Sequence, residues 1–139
     1  SDEFDHWINE AWNDYGVRDL VLVGSPSSKN KQTLPLDKAY ETLAKNQHDF
    51  FTGGVTIAER HASKGNEHQR LIDKHLQGCN FFISQAIYNP QATIDKLTRY
   101  AIECQKRNLK PQRIILTFSA STFNASLSNE FFCSSFKTR

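Results

Sequence analysis

Apolar positions along the chain follow two spacings, one helical and one of short unbroken runs, and the two take turns. Phe4, Trp7, Ile8, Ala11, Trp12 and Tyr15 stand at helical spacing ahead of Gly16, which predicts an amphipathic helix with one wide stripe and a glycine stop. Its aromatic residues are expected in the core. Val17 to Gly24 reads as a short buried strand and Ser25 to Leu34 as a polar loop, while Leu36, Ala39, Tyr40 and Leu43 return to helical spacing. Phe50 to Ile57 reads as a second strand, in which Gly53 and Gly54 imply close approach of the backbone by a neighbouring element or a ligand.

Asn66 is placed to cap the next helix, with Gln69 three residues on, Leu71, Ile72 and Leu76 as its inward stripe, and Gly78 at its end. Phe81 to Gln85 is the third strand. Asn89-Pro90 opens a helix lined by Ile94, Leu97, Ala101 and Cys104, since Asn caps well and Pro at the first helical position has no donor to lose. Arg113 to Phe118 follows Pro111 as the fourth strand. Helices alternating with short non-alternating apolar strands predict an α/β fold with about four parallel strands. An open doubly wound sheet of flavodoxin type and part of a (β/α)8 barrel both fit that pattern. The segment 120–139 is rich in Ser, Asn and Thr and reads as an irregular tail.

At 139 residues with 38% apolar content, the chain is long enough for one domain, which at this size buries roughly two-thirds of its unfolded surface. The 17 basic and 15 acidic residues are interspersed, and Lys29 with Lys31 form the only local cluster, so no nucleic-acid-binding face is expected. Apolar runs such as Leu20 to Val23 are far shorter than the ~20 residues of a membrane span, and the acidic opening SDEFDHW does not read as a signal sequence. Cys79, Cys104 and Cys133 form an odd set without metal-ligand spacing, which points to a reduced, cytoplasmic setting.

Candidate chemistry gathers where strands end. Glu59 and His61 follow the second strand, Glu67 and Lys74 lie on the next helix, and Gln85 closes the third strand. An amide there offers donors and acceptors to a planar, amide-rich ligand such as a pterin ring. The serine-rich loop Gly24 to Lys29 matches neither the dinucleotide fingerprint nor the P-loop, and His68 and His75 are too far apart for a shared metal.

The run Glu59, His61, Glu67, Lys74, Gly78 and Phe82-Ile83-Ser84-Gln85, with Arg113 to Ser119 (RIILTFS) after it, resembles the flavin-dependent methylenetetrahydrofolate reductases. The resemblance covers about Asp19 to Ser119 and implies that residues 1–119 are part of a (β/α)8 TIM barrel holding FAD at its C-terminal rim. By that likeness Ser25, Ile57, His61, Glu67 and Lys74 would contact the flavin, and Gln85 the folate. Hydride would pass from NAD(P)H through the flavin to methylenetetrahydrofolate. Two departures stand out. Ser25 occupies the place of an aspartate near the flavin ring, and the family's catalytic acid comes from a first strand outside this sequence. Rival readings are a non-catalytic flavin- or folate-binding module, one serving a protein partner, and a small FMN-binding flavodoxin-like domain. An incomplete barrel also exposes two strand edges, so self-association is expected.

Overall fold

A computed structural model describes residues 2–24 and 34–118; Ser25, most of the polar loop and the whole 120–139 tail lie outside the described residues. The elements run α1 (Asp2–Asn13), β1 (Asp19–Leu22), α2 (Leu36–Lys45), β2 (Phe51–Thr56), α3 (Ala58–Lys64), α4 (Glu67–Leu76), β3 (Phe81–Ala86), α5 (Pro90–Lys106) and β4 (Arg113–Thr117). All three strand pairings are parallel, and the four strands lie in the order β1-β2-β3-β4. This sequential order contains no reversal, whereas a flavodoxin-type sheet places its second strand outside its first. The doubly wound reading therefore fails on topology. The fold is α/β with four parallel strands alternating with helices.

The two faces of the sheet are unlike. Leu20 and Leu22, Thr52, Gly54 and Thr56, Phe82 and Ser84, and Ile114 share one face through the register. The helices cover it. One core cluster joins Tyr40, Leu71, Ile72, Cys79, Phe82, Tyr100 and Cys104, and a second joins Ile8, Leu20, Leu43 and Phe50. The opposite face carries Val21, Phe51, Gly53, Val55, Phe81, Ile83 and Ile115, and no described helix covers it; Val21, Phe51 and Ile115 remain exposed.

The two strand glycines serve packing. A Cβ on Gly53 would overlap the ring of Phe81, which lies across it on the open face and stacks on Phe51 at 5.1 Å between centroids. A Cβ on Gly54 would stand 2.8 Å from the Tyr40 hydroxyl and 3.2 Å from Cys79 Sγ on the covered face.

Several helical expectations need correction. Residues after β2 form an extra helix, α3, closed by Gly65 at φ +67°. Leu76 points outward and is exposed, because the inward side of α4 carries Glu67, Leu71, Ile72 and Lys74. On α5 the buried residues are Ala92, Thr93, Lys96, Tyr100 and Cys104, while Ile94 is exposed. Of the α1 stripe, Ile8 and Ala11 are buried but Trp7 and Tyr15 are exposed. Asn89 caps α5 as expected, its side chain accepting from Ala92 N–H at 3.0 Å. No described helix is long and apolar enough to cross a membrane.

Candidate functional site

The C-terminal ends of β2 and β3 carry the candidate chemistry, and different forces hold each. Between Ile83, paired with Ile115, and Ala86, paired with Thr117, β3 has one residue more than β4. That is a β-bulge, which bends a strand and re-aims the side chains beside it. Ser84, buried beneath it, accepts a hydrogen bond from Thr117 N–H at 2.8 Å, so a side-chain oxygen replaces the backbone acceptor that the bulge displaced. Gln85 stands next to this pin with its side chain exposed. On the same open face, the row below it is Val55, Ile83 and Ile115 in register. An amide with free donor and acceptor capacity thus sits at the edge of an apolar floor, which suits a flat heterocycle that hydrogen-bonds at its rim.

Polar groups at the end of β2 turn the other way. Glu67 is fully buried; its Oε1 accepts from Ile57 N–H at 3.0 Å and from the Thr56 hydroxyl at 3.4 Å. Arg60 and Arg70 each approach its Oε2 at 3.5 Å without a hydrogen bond. Lys74 Nζ donates to the carbonyl of Val55 at 2.5 Å. Burial pushes the Lys74 ammonium below its ordinary pKa, and Glu67 opposes the shift. Glu67 and Lys74 therefore finish the backbone hydrogen bonding of β2 from beneath the sheet.

His61 is buried on α3 and meets Asp95 of α5 through Nε2 at 2.7 Å. Asp95 also accepts from Arg99 Nε, and these two partners, His61 first, hold its carboxyl below the usual range. Glu59 is exposed. The structure thus brings Ile57, Glu67 and Lys74 together, seats His61 in a separate helix–helix contact, and leaves Gln85 on the opposite face of the sheet. Of the positions that the resemblance assigns to FAD, Ser25 is outside the described residues. Glu67 accepts from the N–H of Ile57, Lys74 donates to the carbonyl of Val55, and His61 is buried against Asp95. As arranged, these groups do not form a cradle for a dinucleotide.

Sequence reasoning did not find Lys96, which is fully buried in α5 and has no hydrogen-bond partner at Nζ. Burial lowers its pKa, while Glu67 and Glu59 raise it. Its signal was the series Ala92, Lys96, Tyr100 and Cys104, four residues apart with a lysine in it. Among the described residues, no group of three or more His, Cys, Asp or Glu side chains is placed to hold a metal ion. A cleft of about 300 Å³ lies at the opposite ends of β2 and β3, against His48, Phe50, Thr52 and Asn80. It is remote from Gln85 and has none of the chemistry described above.

No protein-family model and no curated protein matches the chain. Among solved structures, it is similar to an uncharacterized protein from Clostridium thermocellum, with 41% sequence identity and a TM-score of 0.62 over 69% of this chain. That protein binds two copies of 5-methyl-5,6,7,8-tetrahydrofolic acid. The match occupies 32% of its length, so this chain spans about a third of it.

Proposed function

We propose that the chain forms part of a (β/α) barrel that binds a reduced folate, with the pterin ring on the Val55–Ile83–Ile115 floor and its amide edge against Gln85. The observation that carries this reading is the exposed Gln85 amide, which stands beside a bulge where Ser84 bonds the neighbouring strand, above an apolar row. The likeness to a protein that binds 5-methyl-5,6,7,8-tetrahydrofolic acid supports the ligand class. A pterin presents neighbouring N–H and C=O groups on one edge, and a carboxamide complements them with one acceptor and one donor. Two such bonds at ~1 kcal/mol each are worth ~2 kcal/mol, or ~30-fold in affinity.

Titration calorimetry of the chain with 5-methyl-5,6,7,8-tetrahydrofolic acid tests this. Saturable binding that Gln85→Ala weakens by ~30-fold is expected. Absence of binding, or binding indifferent to Gln85→Ala, overturns the assignment.

A second reading is FAD-dependent reduction of methylenetetrahydrofolate by NAD(P)H, favoured by the residue order Glu59, His61, Glu67, Lys74 and Gln85. It requires Lys74 to release the Val55 carbonyl and Glu67 to release Ile57 N–H. Quenching of FAD fluorescence by the chain, with oxidation of reduced nicotinamide in the presence of an electron acceptor, would favour it over the non-catalytic reading.

A further inference from the structure

The bulge in β3 changes side-chain direction at the rim and brings a residue of β4 beside Gln85. Ile83 pairs with Ile115 and Ala86 with Thr117. Cross-strand partners share a face, and Ile115 and Thr117, two apart on β4, both point to the open one. Ile83 and Ala86 are three apart, so β3 skips one alternation between them. Ser84 is buried beneath the sheet, which leaves Gln85 and Ala86 as consecutive residues on the open face. The row at the rim is therefore Gln85, Ala86 and Thr117, directly beyond Ile83 and Ile115 of the apolar floor.

Thr117 is exposed, and its backbone is fixed without help from its side chain. Its N–H donates to Ser84 Oγ at 2.8 Å, and its carbonyl accepts from Ile87 N–H at 3.0 Å. The hydroxyl, which can both donate and accept, has no hydrogen-bond partner among the described residues. Branching at Cβ restricts its rotamers, so on a fixed backbone it has few directions to take. Neighbouring strands lie ~4.8 Å apart. The Gln85 amide and this hydroxyl thus stand within the breadth of a two-ring heterocycle, with the half-buried methyl group of Ala86 between them.

We propose that Thr117 is a specificity-determining residue of the folate site: its hydroxyl makes the second polar contact to the pterin ring, which bridges Gln85 and Thr117 across Ala86. This inference rests on the folate reading above and extends it from β2 and β3 to β4. Threonine also stands on exposed strand positions for its β propensity alone. That ordinary explanation asks only for a β-branched side chain, which valine supplies equally, whereas ligand contact asks for the oxygen. The bridge makes a second demand, on Ala86. A longer side chain there would stand between the two polar groups and lift a ring off Ile83 and Ile115.

Calorimetry of the whole chain with 5-methyl-5,6,7,8-tetrahydrofolic acid, beside urea unfolding of each variant, tests the bridge. Thr117→Val, which exchanges the hydroxyl for a methyl group, should weaken binding by ~5-fold and leave the urea midpoint where it was. Thr117→Ser should recover most of that loss. Ala86→Leu should abolish binding while the far-ultraviolet circular dichroism stays in place. Binding that responds to Gln85→Ala but not to Thr117→Val overturns this inference and leaves the folate reading standing; a chain that binds no folate overturns both. Equal losses for Thr117→Val and Thr117→Ser, or a folded Ala86→Leu variant that binds as the parent does, would also overturn it.

Discussion

Glu67→Ala is the perturbation that best separates a structural role from a ligand-binding one, because the carboxylate is fully buried beneath the end of β2. Its loss strands the N–H of Ile57, which donates to Oε1 at 3.0 Å, and weakens the setting of Thr56 at 3.4 Å. A hydrogen bond to a charged acceptor is worth ~1.5–3 kcal/mol. The two arginines at 3.5 Å add less, because both are partly exposed and water screens them. Lys96 and Lys74 are left more poorly balanced, and removing one member of a buried ionic group costs ~3–5 kcal/mol. A loss of ~3–4 kcal/mol from a domain whose total stability is ~5–15 kcal/mol should be plain in urea unfolding.

Glu67→Gln supplies the control. It retains an acceptor for Ile57 N–H and the side-chain volume, but loses the charge, so ~1–2 kcal/mol is expected. Both variants and the parent chain are unfolded in urea at pH 7.5 and followed by circular dichroism. An Ala loss below 1 kcal/mol would refute the structural role, as would equal losses for Ala and Gln. The residue would then be free to serve a ligand.

Acid should weaken the fold in a defined order. Burial holds His68 and His75 below their ordinary pKa of 6.5, so the folded state favours their neutral forms. Their contribution is complete above about 6.5 and is lost as pH falls from there toward the lower folded values; the urea midpoint should drop between pH 7.5 and 5.5, and a flat profile would refute it. Asp95, depressed by His61 and Arg99, adds a further loss only below the ordinary aspartate range, and Asp95→Asn should flatten that lower limb. Gly53→Ala should destabilise by ~1–3 kcal/mol through overlap with the Phe81 ring, and Phe81→Leu in the same chain should relieve part of that loss. Ser84→Ala should weaken 5-methyl-5,6,7,8-tetrahydrofolic acid binding by several-fold in calorimetry, whereas Ser84→Thr, which keeps the hydroxyl, should restore it.

The four strands were legible because each is a short apolar run between turn residues, and the Asn89-Pro90 start of α5 because its capping chemistry is local. Helix α3 was not, since Ala58 and His61 are its only buried residues and a seven-residue helix has no room for a stripe. On α4 and α5 the apolar count misled. Glu67, Lys74, Thr93 and Lys96 occupy inward positions, so polar side chains, the first three of them bonded to nearby backbone groups, stand where the periodicity argument expects hydrocarbon. Outward Ile94 and Leu76 then read as core. Gln85 was visible as an amide at a strand end, but no residue pattern marks the bulge beside it. That feature depends on the register between β3 and β4, a relation between strands rather than a property of either.

The two sides of the sheet divide the work. Beneath it, Glu67 and Lys74 bond the end of β2 from α4, and Ser84 bonds β4 from β3. The backbone at the rim is thereby fixed by side chains that need no contact with solvent or ligand. Above it, Gln85 and the Val55–Ile83–Ile115 row remain uncommitted. A rim held only from above would change shape when its ligand left, because the ligand would be one of its supports. Held from below, the backbone of Gln85 needs no ligand to keep its position, so the folate binding proposed above would cost less backbone ordering entropy. The same division explains why Glu67 and Lys74 are buried under the rim and not along the middle of the strands. There the sheet satisfies its own backbone, and a buried charge would gain no partner to offset its desolvation.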